Sequence, residues 1–392
     1  MPTASPALRS SLERLAFQSL EPRHTMAGDV TISLSGGNLL LVGDGADNGV
    51  MVTMINPTTV RVLGLPTGPL ATPTTILRDG SRSPFVDIPV PTHIGGRLGG
   101  GADWVTISGP DPSRWDTIFR LVSIDYAGEG GLNNTLVIRD AVIDGAITFA
   151  GEAANDSLHL TRVHQSSGGA LFATTGGGAD RLVASGCSLG TVNIDLADRR
   201  PTATAADLQT DTDTIAFQKV GLAGAFTAQL GAGRDVVSWV NTHQDGGNGR
   251  IETGVDDDVV AMRQSTWVGD LRFALGHGTN SIGLEEVTVS GTATTGALAV
   301  SGGDGADTVV LTAVSSRTTT ISTAGDTDRV VLASCNAEML AVLLGAGSDS
   351  LIIQGGTFGF GSGDGGDGKD TLRLSAGARP LTRRIAFELI FG

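Results

Sequence analysis

Aspartate carries the clearest chemical pattern in this chain. Asp307, Asp328, Asp349 and Asp370 recur at steps of 21 residues, and Asp304 and Asp367 stand three residues before the first and last of them. Carboxylates brought into a file have two stable fates: cations between them, or backbone N–H groups that tie each one down. Two unit charges about 5 Å apart repel by roughly 1 kcal/mol in water and 3–4 kcal/mol at an effective dielectric near 20, so a file needs partners of one kind or the other. A second set suits acid/base work on a sugar. Arg120 lies near Asp125 in sequence, and Trp115 and Tyr126 have rings that stack on a pyranose. Asp198-Arg199-Arg200 sits in another long segment, and His159 and His164 are the closest pair among six scattered histidines.

The elements that position these residues follow from a longer repeat. The file begins upstream, at Asp103, Asn134, Asp156, Asp180, Asp213, Asp235, Asp258 and Asn280, before the regular steps. Two residues after each member, all twelve residues are aliphatic, from Val105 to Leu372. Four residues after, all but Ala184 are large and apolar. Strict alternation marks a strand with one buried face. Four residues before, nine of the twelve are Gly, as a tight turn demands. A second strand precedes most turns, such as AFTAQL (225–230) and MLAVLL (339–344). Units of this size cannot close a core alone and must stack.

The expectation is therefore an all-β fold, a right-handed parallel β-helix (β-solenoid) of about 12 coils of 21–24 residues, with an N-terminal β cap and small-residue corners. Residues 1–28 read as a leader or arm, 29–97 as the cap and first irregular coils, 98–377 as the β-helix and 378–392 as a C-terminal cap. Cys187 and Cys335 occupy the same phase six coils apart, nearly 30 Å at about 4.8 Å per coil. A disulfide needs Cα atoms within about 7 Å, so both are expected to be free, buried corner residues.

Composition bounds the function. Gly is 57 of 392 residues and the net charge is −15. That sign argues against nucleic acid as a partner, and Lys occurs only at Lys219 and Lys369. No apolar run reaches eighteen residues, so no helical membrane span is expected. The acidic balance favours cations or solubility. Three long steps (109–131, 197–210 and 285–296) could build a cleft, since insertions in a solenoid gather on a binding face. Outward apolar residues Val310, Val331 and Ile352 could instead meet a partner chain.

Two resemblances add to this. GGDGADTVV (302–310) and GGDGKDTLR (365–373) resemble the calcium-binding nonapeptide of the RTX β-roll family, although here the motif returns every 21 or more residues instead of every nine. The resemblance implies calcium as the cofactor, held by Asp304, Asp307, Asp328, Asp349, Asp367 and Asp370 with turn carbonyls. SLEPRHTMAGDV (19–30) and the β-rich segment after it resemble the N-terminus of secreted planctomycete β-helical repeat proteins. That implies export, a place at the cell surface or outside it, and a surface polysaccharide or protein as partner. Two functions stand: a non-catalytic structural or adhesin-like β-solenoid, and a carbohydrate-active β-helix enzyme (lyase or hydrolase) using Arg120, Asp125 and Tyr126. The architecture alone decides neither.

Overall fold

The computed structural model describes residues 28–67, 72–109, 118–126, 132–198, 211–375 and 381–391. Over these residues the chain is strand and turn, with no helix. Nearly all of the strands join one hydrogen-bonded network.

The repeat steps are the strand-pairing registers. Thr308–Thr312, Arg329–Leu343, Ser350–Asp364 and Thr371–Leu374 pair in parallel, each 21 residues beyond the last, so Val309, Val330, Leu351 and Leu372 stand over one another. The long steps keep register as well: Val105 pairs with Leu136, Leu182 with Ile215 and Ile282 with Val309. The register holds across the long steps because one slipped residue would turn every aliphatic side chain to water. The twelve residues two beyond the file are each at most 1% exposed. At about 1.5–3 kcal/mol for a fully buried aliphatic side chain, this column alone contributes strongly at every coil. A second parallel stack closes the core, with Ile147, Leu171, Val192 and Phe226 in successive register. Between the stacks, Trp239 lies flat against Phe217 at 5.8 Å and against Trp267 at 5.6 Å.

The corners differ from expectation. Six residues after the file the backbone is left-handed in ten consecutive coils, and most residues there are neither Gly nor small: Arg162 (φ 50), Lys219 (φ 55), Gln264 (φ 48) and Glu286 (φ 55). Each such residue costs roughly 1–2 kcal/mol, which the in-register bonds on either side must offset. The bend sends these side chains outward, where Arg162 grips Asp140 of the preceding coil through two hydrogen bonds of 2.5 and 2.9 Å. The next position points inward and holds Cys187 and Cys335, both buried with free thiols.

At the N-terminal end, Asn38–Val42 and Gly49–Asn56 already stack in parallel on His93–Arg97 and Trp104–Ser108. Asp29–Ser35 and Thr59–Leu65 fold back antiparallel over their open edges. Phe85–Pro89 then covers Thr59–Leu65. Pro89 on this outermost strand, with Pro84 just before it, limits further pairing at its free edge. At the other end, Arg383–Ile385 and Leu389–Phe391 pair in register with Ser350–Asp364 and Thr371–Leu374. The segment expected as a separate cap thus carries the pairing one step further.

Candidate functional site

The turns place the aspartates inside the molecule. Gly at the fourth position before the file lets successive coils approach closely. At Gly345 φ is +98, and a Cβ would lie 1.7 Å from the Ala324 carbonyl oxygen. With the turn this tight, the next coil's file residue falls under the previous one's amide. Asp307 N–H donates to Asp328 Oδ1 at 2.8 Å, Asp328 N–H to Asp349 Oδ1 at 2.7 Å and Asp349 N–H to Asp370 Oδ1 at 2.9 Å. The same bond recurs upstream through Asp235 to Asp258, Asp213 to Asp235, Asp180 to Asp213 and Asp156 to Asp180. It passes through Asn280 and Asn134 without interruption.

The ladder has two members that the sequence reading missed. Asn48 N–H donates to Asp103 Oδ1 at 2.7 Å and opens it, and Glu388 Oε2 accepts from Asp370 N–H at 2.5 Å and ends it. Asn48 had a signal, because Gly43 and Gly45 precede it and Val50 and Val52 follow it in phase. Glu388 had almost none, since it comes 18 residues after Asp370 and is the longer acid.

The second carboxylate oxygen sets the electrostatics. Oδ2 of Asp103, Asp180, Asp213, Asp235, Asp258, Asp307, Asp328, Asp349 and Asp370 is buried and has no hydrogen-bond partner. The two asparagines reveal what surrounds it. Asn280 Nδ2 faces the carbonyls of Gly278 at 3.2 Å and Gly276 at 3.4 Å, and Asn48 Nδ2 donates to Ala46 O at 2.7 Å. At these two positions the pocket for the second atom is lined by acceptors, which suits a donor and repels an anionic oxygen, whereas Asp156 Oδ2 accepts the Glu152 N–H at 2.9 Å. Burial is the main cause that pushes four of the file's carboxyls upward: Asp328 to about 6, Asp103 to about 7, Asp180 to about 8 and Asp235 to about 9. At Asp213, Asp235 and Asp180 on either side add to burial and carry it to about 10. The central carboxyls therefore hold their protons at neutral pH, and the repulsion expected of a charged file is relieved by neutralisation.

A calcium sphere takes six to eight oxygens. Here each Oδ1 is engaged by an amide, leaving one free carboxyl oxygen per coil. Turn carbonyls are also committed, Ala324 O to Ala346 N–H and Gly345 O to Asp367 N–H. Asp304 and Asp367 stay outside the file, in an edge column that runs Asp304, Gly325, Ala346, Asp367 and so spans three coils, about 14 Å. Among the described residues no three acidic, His or Cys groups converge. The six aspartates thus lie in two separate columns and do not converge on one point.

The acid/base set is not assembled either. Arg120 precedes the strand Leu121–Asp125, whose far end is Asp125, so five extended residues hold them about 17 Å apart. Asp125 reaches Arg97 on the neighbouring strand at 3.4 Å. Tyr126, expected to offer its ring to a sugar, is 2% exposed and packs edge-on to Phe149 at 5.7 Å. Its hydroxyl donates to Thr135 O at 2.9 Å, which pulls the ring into the core. Trp115, Arg199 and Arg200 lie outside the described residues. Of the apolar stripe, Ile352 is 9% exposed and sunk between its neighbours. Compared with protein-family models, curated proteins and solved structures, the chain matches none.

Proposed function

We propose that this chain is a right-handed parallel β-helix of about twelve coils that works as a non-catalytic rod at or outside the cell surface, as a spacer, adhesin-like or matrix protein. One observation carries the reading. The most regular chemistry in the sequence, the file from Asn48 to Glu388, is buried from Asn48 to Asp370 and joins coil to coil through thirteen amide-to-side-chain hydrogen bonds of 2.5–3.1 Å. A column of that kind fixes length and stiffness, and offers no group to a substrate. Parallel crossovers are right-handed in about 98% of cases, which supports the hand. Twelve coils give a rod about 55–60 Å long, before the capping strands. The resemblance of residues 19–30 to a secreted N-terminus supports export.

Small-angle scattering from the full chain, run beside a depolymerisation assay on acidic polysaccharides, tests the proposal. The expected result is an elongated particle and unchanged polymer length. A compact particle, or shortening of the polymer, overturns it.

A further inference from the structure

Charge is distributed unevenly around the molecule. The strands from Trp104–Ser108 to Thr371–Leu374 each turn three residues outward, one, three and five positions after the file. Across these twelve strands the outward set contains a single acid, Glu285, in a chain with 41 acidic residues. That one acid faces Arg263 at 3.2 Å. The same face carries Arg139, Arg181, Arg329 and Arg373, all exposed, and among the described residues none of the four has a carboxylate within ion-pair distance. Most of the remaining outward residues are Ser, Thr, Val or Ala. A face with a net positive charge on a chain of net charge −15 is a separation that solubility alone does not require.

The face is also indented. Arg329, Ser350, Ile352, Thr371 and Arg373 line a depression of about 490 Å³, and Arg263, Gly283, Glu285 and Val310 help line another of about 270 Å³. In the first, register places Arg329, Ser350 and Thr371 in one column and Ile352 and Arg373 in the next. The two arginines are thus two coils and two residues apart, about 12 Å, with hydroxyls between them and the sunken Ile352 as floor.

We propose that this acid-poor face binds a linear acidic polysaccharide, with Arg329 and Arg373 holding two of its anionic groups and Ser350 and Thr371 meeting hydroxyls between them. Guanidinium forks pair with carboxylate and sulfate alike, through two parallel N–H donors. The inference rests on the reading of the chain as a non-catalytic surface rod, and names what the rod holds. Nucleic acid fits poorly. It presents a charge about every 1.7 Å as duplex and asks for stacking rings as single strand. This face offers five arginines over about 53 Å and one aromatic residue, Trp104.

The test is affinity electrophoresis of the full chain through gels holding polygalacturonate, dextran sulfate, neutral dextran or single-stranded DNA. Retention by polygalacturonate or dextran sulfate but not by dextran is expected. The Arg329→Gln/Arg373→Gln variant should lose at least tenfold in affinity, with its unfolding midpoint unchanged. Arg272→Gln, on the other sheet face, should bind as the parent does. The tighter of the two polymers identifies the anion as carboxylate or sulfate. The proposal is overturned by retention on neither acidic polymer, by equal retention of the double variant, or by tighter retention on DNA. Scattering judges the rod separately, so a rod that fails to bind refutes only this inference.

Discussion

Replacing Asp235 by Asn should make the protein more stable at neutral pH. Asp235 Oδ1 accepts Asp213 N–H at 2.8 Å, and Asp235 N–H donates to Asp258 Oδ1 at 2.9 Å. Oδ2 is buried without a partner. Burial, with neighbouring aspartates, raises this carboxyl to about 9, whereas the unfolded chain ionises it near pH 4. Folding above pH 4 must therefore take up a proton, so the native state loses stability as pH rises toward 9. The loss is about 1.4 kcal/mol per pH unit, reaching a ceiling of about 4 kcal/mol at pH 7. Asn keeps Oδ1 and is neutral throughout. Its Nδ2 would face the carbonyls of Gly231 and Gly233, as Asn280 faces those of Gly276 and Gly278. The expected gain is about 2–4 kcal/mol at pH 7, falling to nothing near pH 4. Asp235→Ala removes the same ionisation cost but strands the buried Asp213 amide, so it should fall about 1–3 kcal/mol below the Asn variant at every pH. Denaturant unfolding from pH 4 to 8, followed by the emission of the buried Trp239–Trp267 stack, reads both. An Asn variant weaker than the parent at pH 7, or a gain that does not change with pH, would refute the reasoning. It would mean an ionised carboxylate held by a cation, and EDTA would then lower the parent's midpoint.

Three further outcomes follow from the same geometry. Gly345→Ala should cost about 3 kcal/mol, combining a left-handed φ with a Cβ driven against the Ala324 carbonyl; denaturant midpoints check it. Ala313→Gly, at a corner with φ 52, should gain about 0.5–1 kcal/mol by removing left-handed strain, less what Gly adds to unfolded-chain entropy, and a loss there would mean the corners are not strained. Cys187 and Cys335 are buried, and burial holds both thiols above their ordinary pKa. They should therefore ignore a thiol reagent in the native protein and titrate as two groups after denaturation. Fast labelling of either in the native state would contradict the corner packing.

The period of the fold was legible because burial acts on every coil alike. Val309, Val330, Leu351 and Leu372 share one face, and any slip would expose them all, so the register of parallel strands could be read directly from spacing. The Asp column was legible as a column, and its two possible partners were stated, but the choice between amide and cation depends on distances of a few tenths of an ångström that spacing does not encode. The corners were misjudged for a related reason. Arg162, Lys219 and Glu286 adopt left-handed backbone because the strands on both sides leave no other path, and nothing in those side chains announces it. Tyr126 was misplaced because its phase is set by the pairing of Leu121–Asp125 with its neighbours, beside an insertion that hides the repeat.

The central claim is that the coils stack directly on one another, so that distance grows by one strand spacing per coil. Spin labels on the outward residues Thr214, Thr308 and Ser350, each replaced by Cys, test it by dipolar spectroscopy. Thr214 and Thr308 are four coils apart, and Thr214 and Ser350 are six. Stacking predicts backbone separations of about 19 and 29 Å, in the ratio of two to three. Equal separations for the two pairs, or a shorter one for the six-coil pair, would contradict the account.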